Sequence, residues 1–321
     1  MSKIKFIIKF LTALFVIISV LITLIFGHSN MPLEVLKAKY ANEASAFMPM
    51  GEMEVHYRDE GNRQDSLPII LIHGTGASLH TFDAWTQDLI KNHRVIRMDL
   101  PAYGLTGPFP NRDYSIEHYI QFLTAFIDEL NINQCIIAGN SLGGQIAWNY
   151  TAENPEKVKK LILIDAAGYP IRSKSVPLAF QVARIPVLKH IFTYITPRFV
   201  VQSSVKNVYY NQSEVTESLV DRYFELSLRE GNRKAFIDRL ASKKDTTAYR
   251  KISGINQPTL ILWGKQDNLI PTYMAQQFHD DLLNDTLVIL DKAGHVPMEE
   301  IPERSLKVVS SFLGANQILQ R

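Results

Sequence analysis

The sequence predicts an α/β fold in which helices cover both faces of a mostly parallel central sheet. Two observations support this prediction. Short apolar runs alternate with helical patterns along the chain, and polar residues follow almost every apolar run. Strands that are apolar throughout are typical of a parallel sheet that is buried on both faces. A third observation adds an inserted helical cap: about 90 residues before position 259 carry helical patterns but no core strand, far more than a crossover needs.

The individual elements follow from the period of the apolar residues. Residues 54–58 alternate like a half-exposed antiparallel strand, whereas the later strands are continuous apolar runs. These later strands are predicted over 68–72, 95–98, 135–138, 161–164, 259–263 and 287–290. Helices are predicted near 81–90, 116–130, 144–153, 273–283 and 303–313.

The first 30 residues carry a different pattern. Lys3, Lys5 and Lys9 precede an uncharged apolar run over 10–26. With its flanks, at about 1.5 Å per residue, this run just crosses a hydrocarbon core of about 30 Å. Lysines before the run predict a transmembrane anchor that leaves the rest of the chain on the non-cytoplasmic side, periplasmic or extracellular. The alternative is a signal peptide cleaved near residues 27–29, which would give a secreted protein.

The predicted domain organisation has four parts. Residues 1–30 form the N-terminal segment and 31–50 a spacer; 51–168 and 252–315 form the core, and 169–251 form the cap. From residue 171 to 251 there are 15 Lys and Arg against 7 Asp and Glu, a net charge of +8. The first part of the cap is apolar, so we expect it to pack on the core; lining a substrate channel or contacting a bilayer is the alternative.

Composition excludes some classes of function. The 321 residues are 46% hydrophobic and 21% charged, which is ordinary globular composition. The net charge of +2 and the lack of a basic block with interleaved aromatic residues argue against a nucleic-acid partner. The single cysteine, Cys135, cannot form an intramolecular disulfide and is interpreted as a small buried apolar residue.

The stretch 135–144 contains the candidate nucleophile. A predicted strand leads into Gly139-Asn140-Ser141-Leu142-Gly143, which matches G-x-S-x-G, and a helical pattern follows. This strand–turn–helix context indicates a nucleophile elbow, in which a serine is held in a strained turn at the positive end of a helix. Flanking glycines leave room for that turn.

A serine nucleophile needs a base and a carboxylate that orients the base. His295 follows the last predicted strand, where it can reach across to Ser141, and is the candidate base. Asp267 follows the preceding strand and is the candidate acid, with Asp165 as the alternative one strand earlier. Glu299 and Glu300 are too close to His295 along the chain to orient it well.

The tetrahedral intermediate of acyl transfer needs backbone N–H donors aimed at its oxyanion. The amide of Leu142, at the start of the predicted helix, is one candidate donor. The second candidate is the amide of Thr75 in the loop His73-Gly74-Thr75-Gly76, with Gly76 as the alternative.

Residues 52–314 resemble the α/β-hydrolase family. The motifs His73-Gly74-Thr75-Gly76, 99–104, 139–144, 263–267 and Gly294-His295-Val296-Pro297 all stand in the order of that family. The resemblance implies a hydrolase with Ser141, His295 and Asp267 as its triad, and a cap at the position predicted above. Asp99 matches a family position that is usually structural.

We predict a bacterial membrane-anchored serine hydrolase of the esterase or lipase type that cleaves carboxylic esters through an acyl-enzyme. Its substrate would be a small-molecule ester or lipid. No cofactor or metal is implied, since no metal-binding or nucleotide-binding motif is found. A carbon–carbon bond hydrolase acting on ring-fission products is the alternative; such enzymes commonly carry an aromatic residue where this chain has Val296. A tethered binding module without catalysis is the second alternative.

Overall fold

A computed structural model describes residues 2–243 and 245–314. Its centre is an eight-stranded sheet with the order β1-β2-β4-β3-β5-β6-β7-β8. The first two strands and β4 pair antiparallel, and β3 to β8 are parallel. The strands are β1 Ser45–Met50, β2 Met53–Gly61, β3 Ile69–Ile72, β4 Arg94–Met98, β5 Cys135–Asn140, β6 Val158–Ile164, β7 Thr259–Gly264 and β8 Asp285–Leu290.

Helices precede the sheet, cover it and fill the long interval between β6 and β7. The α-helices are α1 Ser2–Phe26, α2 Leu33–Tyr40, α3 Asp83–Leu89, α4 Ile116–Glu129, α5 Leu142–Glu153, α6 Leu178–Arg184, α7 Pro186–Phe192, α8 Arg198–Val208, α9 Glu217–Ser227, α10 Asn232–Ala241, α11 Tyr273–Asp281, α12 Pro297–Glu300 and α13 Pro302–Gly314. Short 3₁₀-helices lie at Leu79–Phe82, Gln212–Glu214 and Ala248–Gly254.

The predicted fold class is confirmed: the sheet is mostly parallel, and helices pack on both of its faces. Side chains of β3 alternate between the two faces of the sheet. Ile70 and Ile72 belong to the apolar cluster that includes residues of α4 and α5. Ile69 and Leu71 point to the other face, among residues of α3 and α13. Both faces of each central strand are therefore apolar, as the continuous apolar runs predicted.

One strand was not predicted. The spacer proposed over residues 31–50 contains α2 and the edge strand β1, which pairs Ser45 with Arg58 at its start. The run Ser45–Met50 includes Pro49 and lacks a clear alternation, and proline is confined to edge strands because it cannot donate to the ladder. Only the neighbouring β2 makes this segment a strand.

The N-terminal segment forms a helix, Ser2–Phe26. Among the described residues, no helix combines the length and the apolar character that crossing a membrane requires. The predicted transmembrane anchor is therefore not supported in that part of the chain. The residues after α1 contact the interval between β6 and β7: the amide of Met31 donates to the carbonyl of Leu228 at 2.9 Å, and Arg233 donates to the carbonyl of His28 at 2.9 Å.

The interval between β6 and β7, residues 165–258, is hereafter called the insertion. Its helices α6 to α10 cover the end of the sheet at which the parallel strands finish, and an apolar cluster of its own includes Ala179, Phe192, Val200 and Ile237. Its side chains contribute most of the lining of a cavity that also contains Ser141.

Candidate active site

Ser141 lies in a strained turn between β5 and α5. Its φ of 56° and ψ of −113° lie outside the regions that a residue with a side chain ordinarily adopts. The amide of Ser141 donates to the carbonyl of Ile164 at 3.0 Å, which ties the turn to the neighbouring strand. The hydroxyl thus stands at the N-terminus of α5, and the residue is 9% exposed.

The two glycines of the turn are required by close backbone contacts. A Cβ atom at position 139 would lie 2.2 Å from the carbonyl oxygen of Gly143. A Cβ atom at position 143 would lie 2.1 Å from the carbonyl oxygen of Ile72. The G-x-S-x-G pattern is therefore a packing requirement of the turn itself.

His295 and Asp267 form a buried pair. The Nδ1 atom of His295 lies 2.6 Å from Oδ2 of Asp267, and the two residues are 4% and 2% exposed. The other carboxylate oxygen of Asp267 accepts from the amides of Leu269 at 2.8 Å and Ile270 at 3.0 Å. Because an ionised carboxylate only accepts, Nδ1 carries the proton, and Nε2 is left as an acceptor. The short separation is that of a charge-assisted hydrogen bond and leaves no space for an ion between the two atoms.

Two polar residues that were not predicted to support the site hold the backbone of the His295 loop. The side-chain amide of Asn140, next to Ser141, donates to the carbonyl of His295 at 2.9 Å. Glu300 accepts from the amide of Gly294 at 2.6 Å and from the amide of Asn211 at 2.6 Å. Asn140 thus ties the serine turn to the histidine loop, and Glu300 ties that loop to the insertion. The only sequence signal for either was its proximity to a motif.

Asp165 also lies in this cluster. Its Oδ1 accepts from the amide of Gly264 at 2.9 Å, whereas its Oδ2 has no hydrogen-bond partner among the residues that the structure describes. One ligand atom each of Asp165, Asp267 and His295 lies within 4.8 Å of the others. Burial raises the pKa of Asp165 well above its usual value, and the charge of Asp267 raises it further. Of the two candidate acids, Asp267 contacts the imidazole, whereas Asp165 contacts the backbone of Gly264.

The candidate oxyanion donors lie on either side of the serine turn. Leu142 is the first residue of α5, a position whose amide has no partner within the helix. The loop that carries Thr75 is held by the buried His73, whose Nδ1 lies 2.7 Å from the carbonyl oxygen of Gly74 and whose Nε2 accepts from the amide of Leu100 at 2.9 Å. Burial lowers the pKa of His73, so the imidazole is neutral and can fill both roles.

Two cavities meet at Ser141. The first, of about 130 Å³, is mostly apolar and contains both Ser141 and His295; its insertion residues include Phe180, Phe192, Val205 and Phe236. The second, of about 400 Å³, is more polar and is lined by Thr75, Ser141 and Leu142 together with charged residues of the insertion. Ser141 thus shares the first cavity with His295 and also lines the second cavity.

Asp99, which was predicted to be structural, lies outside both cavities. Its carboxylate accepts from His56 Nδ1 at 2.7 Å and from the amides of Leu79 and Leu105 at 2.8 Å each. Burial alone would raise the pKa of Asp99, but His56 lowers it below its usual value. Glu299, the other carboxylate close to His295 in sequence, pairs with Arg222 and Tyr223 of the insertion.

Comparisons with known proteins agree with the fold. Residues 68–302 match the family described as alpha/beta hydrolase fold. A 2-hydroxy-6-oxononadienedioate/2-hydroxy-6-oxononatrienedioate hydrolase from Burkholderia vietnamiensis is 27% identical over 82% of this chain and 91% of its own length. A monoacylglycerol lipase from Xenopus laevis is 25% identical over 83% of this chain and 81% of its own.

A solved structure extends the likeness to the fold. The meta-cleavage product hydrolase of Pseudomonas fluorescens IP01 is 22% identical to this chain and superposes with a TM-score of 0.72. The alignment covers 84% of this chain and 98% of that one. At this identity the likeness supports the shared fold, and the substrates of these relatives differ from one another.

Proposed function

Because the chain belongs to the alpha/beta hydrolase fold family, we propose that it is a serine hydrolase that cleaves carboxylic esters through an acyl-enzyme. The observation that carries this proposal is the arrangement around Ser141. Its hydroxyl stands at a helix N-terminus in a cavity shared with His295, and Asp267 holds the imidazole in the tautomer that leaves Nε2 free to accept a proton.

In the proposed reaction, Ser141 Oγ attacks the ester carbonyl while its proton passes to Nε2 of His295. The C–O π bond opens to an oxyanion, which the amides of Leu142 and Thr75 stabilise. The intermediate then collapses, the ester C–O bond breaks, and His295 gives its proton to the departing alcohol. Water then attacks the acyl-enzyme in the same way, giving a proton to His295. Collapse of the second intermediate breaks the bond to Ser141 Oγ, which takes the proton back, and the acid is released.

The apolar cavity supports an ester with a hydrocarbon acyl chain. Phenylalanine and valine side chains form much of its lining, and Arg233, which also lines it, donates to the carbonyl oxygens of His28 and Tyr194 and to Asn30. Val296, directly after His295, is also part of this lining. We propose a small-molecule ester or a lipid as the substrate class, with the insertion acting as the cap over the acyl chain.

Carbon–carbon bond hydrolysis of ring-fission products is the second candidate function. It is favoured by the relative from Burkholderia vietnamiensis, whose name describes a hydrolase of such dienedioates. Both reactions use a serine hydroxyl beside a histidine, so the two candidates differ in substrate rather than in the residues of the site.

The experiment that separates the candidates compares two substrates on one enzyme preparation. We expect p-nitrophenyl butyrate to be hydrolysed and a vinylogous diketone ring-fission product to be a poor substrate. Turnover restricted to the diketone would reject ester cleavage as the function.

Covalent labelling tests whether the protein is an enzyme at all. A fluorophosphonate should label the folded protein with one equivalent at Ser141, and Ser141→Ala should abolish labelling. His295→Ala should slow it strongly. The matched control is His279→Ala, because His279 also contacts an aspartate, Asp285, at 2.8 Å but lies half-exposed away from the cavities. Failure of the folded protein to label would favour a non-catalytic binding module.

A further inference from the structure

We propose that the substrate carries an anionic group, carboxylate or phosphate, on its alcohol part, and that Arg239 binds this group in the polar cavity beside Ser141. The inference rests on the proposed ester hydrolysis and adds the chemistry of the alcohol arm. It starts from a buried cation for which the described part of the chain supplies no counter-ion.

Arg239 lies on α10 and is only 9% exposed. Within residues 2–243 and 245–314, its side chain forms no hydrogen bond or ion pair, and its buried Nε has no acceptor. A buried unpaired charge is costly, and buried charges in proteins are ordinarily paired. A ligand with a negative charge would supply the missing partner.

Two other arginines of the insertion, the half-buried Arg222 and the buried Arg233, have partners. Arg222 pairs with Glu299. Arg233 donates to the carbonyl oxygens of His28 at 2.9 Å and Tyr194 at 3.2 Å, and to the side chain of Asn30 at 2.7 Å. Arg239 has no such partner among the described residues, and it lines the larger, more polar of the two cavities that contain Ser141.

The surroundings of Arg239 favour an anion. Two more cations, Arg184 and Lys243, line the same cavity, against the carboxylates of Glu117 and Asp245. Asp245 accepts from the amide and hydroxyl of Thr247 at 2.8 Å each. The cavity also contains Tyr114, whose buried hydroxyl has no hydrogen-bond partner in the described part of the chain. The lining therefore has an excess of positive charge and a second unused donor. Arginine is well suited to such a site, because its planar fork matches both carboxylate and phosphate.

The position of the cavity assigns the anion to the alcohol arm. Ser141 and Thr75 line both cavities, so an ester at Ser141 extends one arm into each. The apolar cavity takes the acyl chain. The alcohol leaves before water enters, so its arm belongs in the larger, more polar cavity, in which exposed residues such as Glu117 and Arg184 stand at the rim.

Three hexanoate esters of short alcohols test the proposal. 1-Hexanoylglycerol 3-phosphate and 3-(hexanoyloxy)propanoate carry the anion, and the methyl ester of the latter is the neutral reference. We expect kcat/KM for the anionic esters to exceed that for the neutral ester by roughly 10- to 100-fold, since hydrogen bonds to charged groups have about that effect. A preference for phosphate alone, carboxylate alone or both identifies the source of the charge.

Arg239→Gln should collapse the ratio of anionic to neutral kcat/KM, and Arg239→Lys should restore part of it. The matched control is Arg172→Gln, which changes an exposed arginine of the insertion that lines neither cavity and should keep the ratio. A merely structural Arg239 would lower both rates equally in Arg239→Gln, and that result would overturn the proposal.

A binding measurement makes the inference independent of turnover. In Ser141→Ala, hexyl phosphate should bind more tightly than 1-hexanol by calorimetry, and the difference should disappear in the double variant with Arg239→Gln. Equal binding of the two ligands would overturn the anion site even if esters are cleaved. Preferential binding of hexyl phosphate without ester turnover would instead reject the proposed function and keep the site.

Discussion

Two buried His–Asp pairs of this protein have nearly the same hydrogen-bond length, and each lies near a serine, but their surroundings differ. At one, Asp267 contacts His295 at 2.6 Å beside Ser141. At the other, Asp99 contacts His56 Nδ1 at 2.7 Å, and His56 Nε2 lies 2.9 Å from the hydroxyl of Ser45.

The two pairs differ in the hydrogen bonds of the histidine Nε2 atom and of the nearby serine hydroxyl. Ser45 Oγ accepts from the side chain of Arg58 and the amide of Asn42, both at 3.1 Å, and His56 is fully buried. His295 Nε2 forms no hydrogen bond within the described residues, and His295 lines a cavity with Ser141. The same three residue types thus build either a closed structural network or an open site. Access and free hydrogen-bonding capacity distinguish the two.

The largest expected difference between the two arrangements comes from removing each serine hydroxyl. Ser141→Ala should lower kcat by about 10⁶-fold, because the nucleophile is lost. Ser45→Ala should leave kcat unchanged and lower the free energy of unfolding by about 1–3 kcal/mol, because His56 loses a buried partner. Ester turnover and urea unfolding measure both effects, and a comparable loss of kcat in Ser45→Ala would contradict the distinction.

Asp267→Asn should lower kcat by about 10⁴-fold, because an amide can no longer hold His295 with its proton on Nδ1. The amides of Leu269 and Ile270 keep a carbonyl acceptor, so the fold should be retained. Turnover of p-nitrophenyl butyrate and circular dichroism check this. Activity near that of the wild type would make Asp165 the acid that orients His295.

Asp99→Asn should act on stability instead. Breaking a buried charge pair costs about 3–5 kcal/mol, and the site is tightly packed: a Cβ atom at Gly104 would lie 2.1 Å from the Asp99 carboxyl carbon. We expect a large drop in the urea midpoint with kcat preserved in the folded fraction. A lower kcat in protein that remained fully folded would contradict the structural role of Asp99.

Asp165→Asn should have the smallest effect and should depend on pH. Burial raises the pKa of Asp165, so the folded state keeps a proton that the unfolded chain releases above pH about 4. Stability from this group is fully present below that pH and is lost as pH rises towards the folded pKa, by at most about 1.4 kcal/mol per pH unit.

The neutral amide in Asp165→Asn removes this dependence. Relative to the variant, the wild type should therefore lose stability as pH increases, which urea unfolding from pH 4 to 9 would measure. Parallel pH profiles would show that Asp165 is ionised in the folded protein.

Much of the fold could be predicted because its signals are local. Continuous apolar runs predicted the parallel strands β3 to β8, and their order along the chain predicted that the polar loops share one edge of the sheet. The glycines at 139 and 143 marked the turn at Ser141, since a side chain at either position would collide with backbone. Strand β1 could not be predicted in this way, because Pro49 disfavours a strand and the segment is a strand only through its pairing with β2.

Patterns in the sequence were enough to predict the fold class. They also identified Ser141, Asp267 and His295 as the candidate nucleophile, acid and base, each from a pattern of a few residues. Which carboxylate contacts the imidazole depends on the three-dimensional structure, since Asp165 and Asp267 follow neighbouring strands, are both buried, and differ in their amide donors. The same packing buries Arg239 without a counter-ion among the described residues, while Arg222 and Arg233 have partners. Pairing between distant residues depends on long-range packing, and no local pattern in the chain encodes it.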